Sequence, residues 1–146
     1  MRFMLIAARV LFCILFALVT FLTLTTNPDN TEPGFVLARL ISSTLFGDDA
    51  LSDKVAHFLA YASLGAFAFW GELRLFSRRW AAALALCLYG MVLEGVQGLG
   101  GVREPELADA LANALGAAAG LCGAYLLSRL VMRLVLRKTP SGAAGQ

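Results

Sequence analysis

Three short blocks of the 146-residue chain carry side chains suited to chemistry. Asp53, His57 and Tyr61 recur every fourth residue, with Lys54 beside Asp53. On a helix that spacing stacks the three side chains along one face. Glu94 and Gln97 lie three apart, Asp109 and Asn113 four apart, and Arg103 falls between those two blocks. A histidine among carboxylates can hold or move a proton near neutral pH. Lysine and arginine contact anions, while tyrosine and the two amides can orient the carboxylates. His57, Glu94 and Asp109 are therefore the candidate acid-base residues. The candidate ligand-binding set is Asp53, Lys54, His57, Tyr61, Glu94, Gln97, Arg103, Asp109 and Asn113.

These residues sit in a strongly apolar chain, with 59% hydrophobic residues, 15% charged residues and a mean hydropathy of +0.73. Soluble domains carry about 25% charged residues. The sequence predicts an all-α integral membrane four-helix bundle, with spans at about 4–25, 55–71, 80–99 and 107–130 in one domain over 1–130. Four spans of about 20 residues leave no room for a separate soluble catalytic domain. The first is read as a span rather than a signal peptide, because no small-residue cleavage site follows Thr25-Thr26-Asn27. Between the first two spans, Phe35 to Ile41 reads either as a short interfacial helix or as an amphipathic turn packed on the outer ends of the spans. Trp70 is placed as an interface anchor at the inner end of the second span.

Nine of the twelve basic residues (Arg2, Arg9, Arg74, Arg78, Arg79, Arg129, Arg133, Arg137 and Lys138) fall on one side of this arrangement. Positive charge marks the cytoplasmic side, so both termini and the 72–79 loop are expected inside and the 26–54 and 98–106 intervals outside. A basic and then disordered cytoplasmic tail is expected over 131–146. The net charge of +2 is too small and scattered for nucleic-acid binding. At 1.5 Å per residue, His57, Glu94 and Asp109 each lie about one turn below the outer boundary. Three spans thus bring polar groups to one depth, where each costs about 3 kcal/mol without a partner.

Other readings of these residues remain open. They could serve as interhelical hydrogen bonds that only hold the bundle together. A metal could take His57, Glu94 and Asp109, but one histidine with Lys54 and Arg103 nearby opposes a cation, so no metal and no cofactor are expected. Ser52 and Ser63 are wrongly spaced to share His57 as a base. Cys13, Cys87 and Cys122 each lie in an apolar run and promise neither a disulfide framework nor a zinc site. Ala108, Ala112, Gly116, Gly120 and Ala124 form a small-residue stripe for close helix packing, with Gly90, Gly95 and Gly98 in a similar role.

The blocks Asp53-Lys54-Val55-Ala56-His57-Phe58-Leu59-Ala60-Tyr61, Glu94-Gly95-Val96-Gln97, Arg103 and Leu107 to Gly116 resemble, in order and spacing, the VanZ family of small membrane proteins. The resemblance covers about residues 50 to 125. One departure is Glu104-Pro105-Glu106 after Arg103, where small polar residues are expected. The resemblance implies a multi-pass protein of the bacterial inner membrane, associated with low-level resistance to teicoplanin or with a housekeeping envelope role. The residues themselves imply an outward-facing polar pocket suited to a polar ligand or proton transfer; taken with the resemblance, its expected partner, apart from the lipid bilayer, is an envelope component such as a lipid-linked precursor or an anionic lipid. Two alternatives stand beside it: a membrane acid/base enzyme acting on a phosphate or glycan ester, and a noncatalytic scaffold for another envelope protein.

Overall fold

The computed structural model describes residues 2–25, 32–99 and 106–138. Among them the chain forms α1 (Arg2–Leu24), α2 (Glu32–Phe46), α3 (Ser52–Trp70), α4 (Arg79–Leu99) and α5 (Leu107–Lys138), with no strand beyond an isolated bridge between Leu75 and Arg78. The four expected spans correspond to α1, α3, α4 and α5. The expected 35–41 element belongs to the longer α2, and the basic stretch after residue 130 continues α5 as helix to Lys138. The expected disorder over 139–146 lies outside the described residues.

α1, α4 and α5 are long and apolar enough to cross a membrane. α3 does not reach that standard, because Asp53, Lys54 and His57 occupy its first two turns. The polarity of the bundle is that of a body solvated by hydrocarbon. Phe3, Ile14, Leu88, Leu115 and Leu126 are exposed, while Glu94, Asp109 and Asn113 are buried.

α3 is the central element, packing on α1, α2, α4 and α5. Its approach to α5 is unusually close because three glycines remove side chains from the crossing. A Cβ at Gly116 or Gly120 would run into the backbone carbonyl of Phe58 or Ala62, and one at Gly65 into that of Ala117. The small-residue stripe therefore packs on α3, with Ala112 and Ala124 also buried and Ala108 exposed. On α4, Gly90 lies against Asn113 and Tyr61, whereas Gly95 meets nothing, contrary to its expected packing role.

Contacts along the helices fix their directions. His57 meets Asn113 and Trp70 meets Ser128, so α3 and α5 run parallel. Arg9 Nε donates to the carbonyl of Gly71 at 2.8 Å, which sets α1 antiparallel to α3. Gln97 of α4 reaches the carbonyl of Thr23 of α1, so the ends of those helices meet at the same pole as His57 and Asn113. The loop between α3 and α4 closes at the opposite pole in a tight turn, with Leu75 and Arg78 exchanging backbone hydrogen bonds of 3.1 and 2.9 Å. Its central residues, Phe76 and Ser77, are both left-handed at φ 49° and 61°, where a Cβ is strained.

α2 packs on α3 and buries Ala38 and Ser42, one turn apart, with the Ser42 hydroxyl donating to the carbonyl of Asp48 at 2.9 Å. Val36, Leu37, Leu40, Leu45 and Phe46 stay exposed. The helix therefore combines the two readings of this segment, with a small-residue face against the bundle and an apolar face left open.

Candidate functional site

Asp53 and Asp109 fall in the first turns of α3 and α5, two parallel helices whose N-terminal ends lie together. The partial positive charge of a helix start favours an anion there, which helps to keep a carboxylate charged in a poorly hydrated place. Lys54 completes the arrangement. Its ammonium is 2.7 Å from Asp109 Oδ1 and 3.2 Å from Asp53 Oδ2, and it also donates to Glu106 Oε2. Asp109 is 1% exposed, so this pair is buried on the α5 side.

His57 lies one turn below Asp53. Its Nδ1 is 3.0 Å from Asn113 Oδ1, an atom that can only accept, so Nδ1 carries the hydrogen in this pairing. In the neutral ring that leaves the Nε2 lone pair on the side of Asp53, whose Oδ1 is 3.8 Å away. Glu94 Oε1 approaches His57 Nδ1 from α4 at 3.8 Å. Glu94 and Asn113 are both buried. One oxygen of Asp53, one of Asp109 and one nitrogen of His57 lie within 4.8 Å of one another. The residues close enough to share an ion are thus Asp53, His57 and Asp109, a different set from the His57, Glu94 and Asp109 weighed and set aside from the sequence.

Six of the nine expected residues meet here: Asp53, Lys54, His57, Glu94, Asp109 and Asn113. Arg103 lies outside the described residues. Gln97 and Tyr61 do not orient the carboxylates. Gln97 Nε2 donates to the backbone carbonyl of Thr23 and ties α4 to α1. Tyr61 is 1% exposed within a cluster containing Val19, Leu64 and Leu86, and its hydroxyl has no hydrogen-bond partner among the described residues. Its i+8 spacing from Asp53 puts it on the same face one turn below His57, where its hydroxyl and the Asn113 side chain both lie against Gly90. Glu106 is the residue that spacing did not single out. It lies three before Asp109, and its carbonyl accepts the backbone N–H groups of Asp109 and Ala110, so the start of α5 holds its side chain over Lys54.

The arrangement can hold a cation among carboxylates and oxygen ligands, and it can hold a proton on His57. A separate open groove of about 520 Å³ between α1 and α4 is lined by Phe16, Ala17, Thr20, Phe21, Leu24, Thr25 and Tyr89, and is almost wholly apolar. No family model, curated protein or solved structure matches the chain.

Proposed function

We propose that this is a VanZ-like integral protein of the bacterial inner membrane, with four spans, both termini in the cytoplasm and an outward polar pocket that binds or acts on an envelope component. The observation that carries the reading is the convergence of charged and polar side chains from α3, α4 and α5 at one pole. At the other pole lie Arg9 and the turn containing Arg78. Basic residues mark the cytoplasmic side, which leaves the polar pole outside. α3, too polar at its start to qualify as a span on its own, crosses in this reading because α4 and α5 shield its first turns.

The ligand is a lipid-linked precursor or an anionic lipid, with Lys54 nearest its head group and α2 lying at the outer interface. Handling such a ligand at the outer leaflet would confer low-level tolerance to teicoplanin, whose lipid tail places it at that surface. The acid/base enzyme reading draws on a different feature, the histidine hydrogen-bonded to Asn113 with Asp53 beyond its second nitrogen. His57→Gln separates these roles from a scaffold. The scaffold keeps its phenotype with this variant, whereas a ligand pocket or an enzyme loses it at unchanged membrane abundance.

A further inference from the structure

The geometry points to a divalent transition-metal site formed by Asp53, His57 and Asp109, in which the ion takes the place held by the Lys54 ammonium. The inference rests on the pocket reading above and deepens it by naming what the pocket holds.

Two observations carry it. The first is the donor set. His57 Nε2 and Asp53 Oδ1 are 3.8 Å apart, and one ring nitrogen of His57, one oxygen of Asp53 and one of Asp109 lie within 4.8 Å of one another. Ligands about 2.1 Å from one ion stand roughly 3.4 Å apart, so the three groups must draw in by up to about 1.4 Å to close on an ion. One imidazole with two carboxylates suits Zn²⁺ or Mn²⁺ better than Ca²⁺, which prefers an all-oxygen shell. The second is the state of the histidine. Asn113 Oδ1 holds the Nδ1 hydrogen, as the outer partners of metal-bound histidines do, and leaves Nε2 free to ligate.

Lys54 supplies positive charge to the same carboxylates, 2.7 Å from Asp109 and 3.2 Å from Asp53. It has a second station, because it also reaches Glu106, which is half exposed at the rim. An arriving ion can displace the ammonium toward Glu106 without leaving it unpaired. Three protein ligands leave coordination positions open, and an oxygen of a phosphate head group is a natural occupant for them. The ion would thus make a carboxylate-rich pocket receptive to an anion.

The test uses the full chain purified in detergent micelles and titrated with Mn²⁺ or Zn²⁺ alone, followed by calorimetry and by thermal unfolding. The wild type should bind one ion per chain with a rise in Tm. Asp53→Asn and His57→Gln should each lose on the order of tenfold or more in affinity. Lys54→Met should gain on the order of tenfold, as expected from removing a unit charge within contact range of the ion. It should also recover Tm on metal addition, so a destabilised variant still reports. No stoichiometric ion on the wild type, or binding that ignores Asp53→Asn and His57→Gln, overturns the inference. Metal binding together with an unaffected His57→Gln phenotype would overturn the envelope-ligand reading and leave the ion site standing.

Discussion

At the residue scale the Lys54–Asp109 pair decides whether the pole is stable. A carboxylate 1% exposed lies 2.7 Å from its ammonium partner. Removing Lys54 leaves the buried Asp109 carboxylate poorly compensated, at a cost of about 3–5 kcal/mol. Losing the Asp109 charge leaves Lys54 paired with Asp53 and Glu106, and replacing both Lys54 and Asp109 with apolar groups of similar volume is far milder. Lys54→Met should therefore lower the unfolding free energy by about 3 kcal/mol, and Lys54→Met combined with Asp109→Leu should recover most of it. Additive losses in that double-mutant cycle, measured by unfolding in micelles, would show that the two residues do not act as a pair. Gln97 provides a contrast, because it ties α4 to the carbonyl of Thr23 instead of facing the charges. Gln97→Met should cost about 0.6–2 kcal/mol of stability and leave any phenotype intact. A phenotype lost with full stability would return Gln97 to the ligand site.

At the element scale the bundle depends on where side chains are absent. α3 and α5 meet through Gly65, Gly116 and Gly120, and a Cβ at Gly120 would meet the backbone of Ala62, which cannot yield as a flexible side chain can. Gly120→Val should abolish the folded protein. Gly123→Ala, at an exposed position where a Cβ meets nothing, should be neutral or stabilise by about 1 kcal/mol. Thermal unfolding of the two variants side by side checks the crossing. The periodicity of small residues made this crossing legible in the sequence, as the i, i+4 spacings did for Asp53 with His57 and Asp109 with Asn113. Spacing does not specify rotation about the helix axis or the neighbour across it. That is why Gln97 turns to α1, Tyr61 ends among Val19 and Leu64, and Glu106, outside the i, i+4 pattern, holds Lys54. The boundaries of α2 were likewise hidden, since no apolar repeat long enough to mark a span runs through Glu32–Phe46.

At the scale of the whole molecule, charge and polarity are divided between two poles. The Gly71 carbonyl, bound by Arg9, and the Leu75–Arg78 turn mark one; Lys54, His57, Glu94 and Asp109 mark the other. The proposed topology makes a direct expectation for cells. A reporter active only outside the cytoplasm should work when fused near Asp48 and fail near Arg78 or Lys138, and activity at Arg78 would reverse the orientation. Expressing the wild type, His57→Gln and Asp109→Asn in a susceptible Gram-positive host, and measuring teicoplanin and vancomycin tolerance alongside membrane abundance, distinguishes a working site at the polar pole from a structural clasp. The wild type should raise tolerance to teicoplanin more than to vancomycin, and both variants should lose that difference at unchanged abundance. Variants that keep the difference, or a wild type that confers none while correctly inserted, would contradict the account.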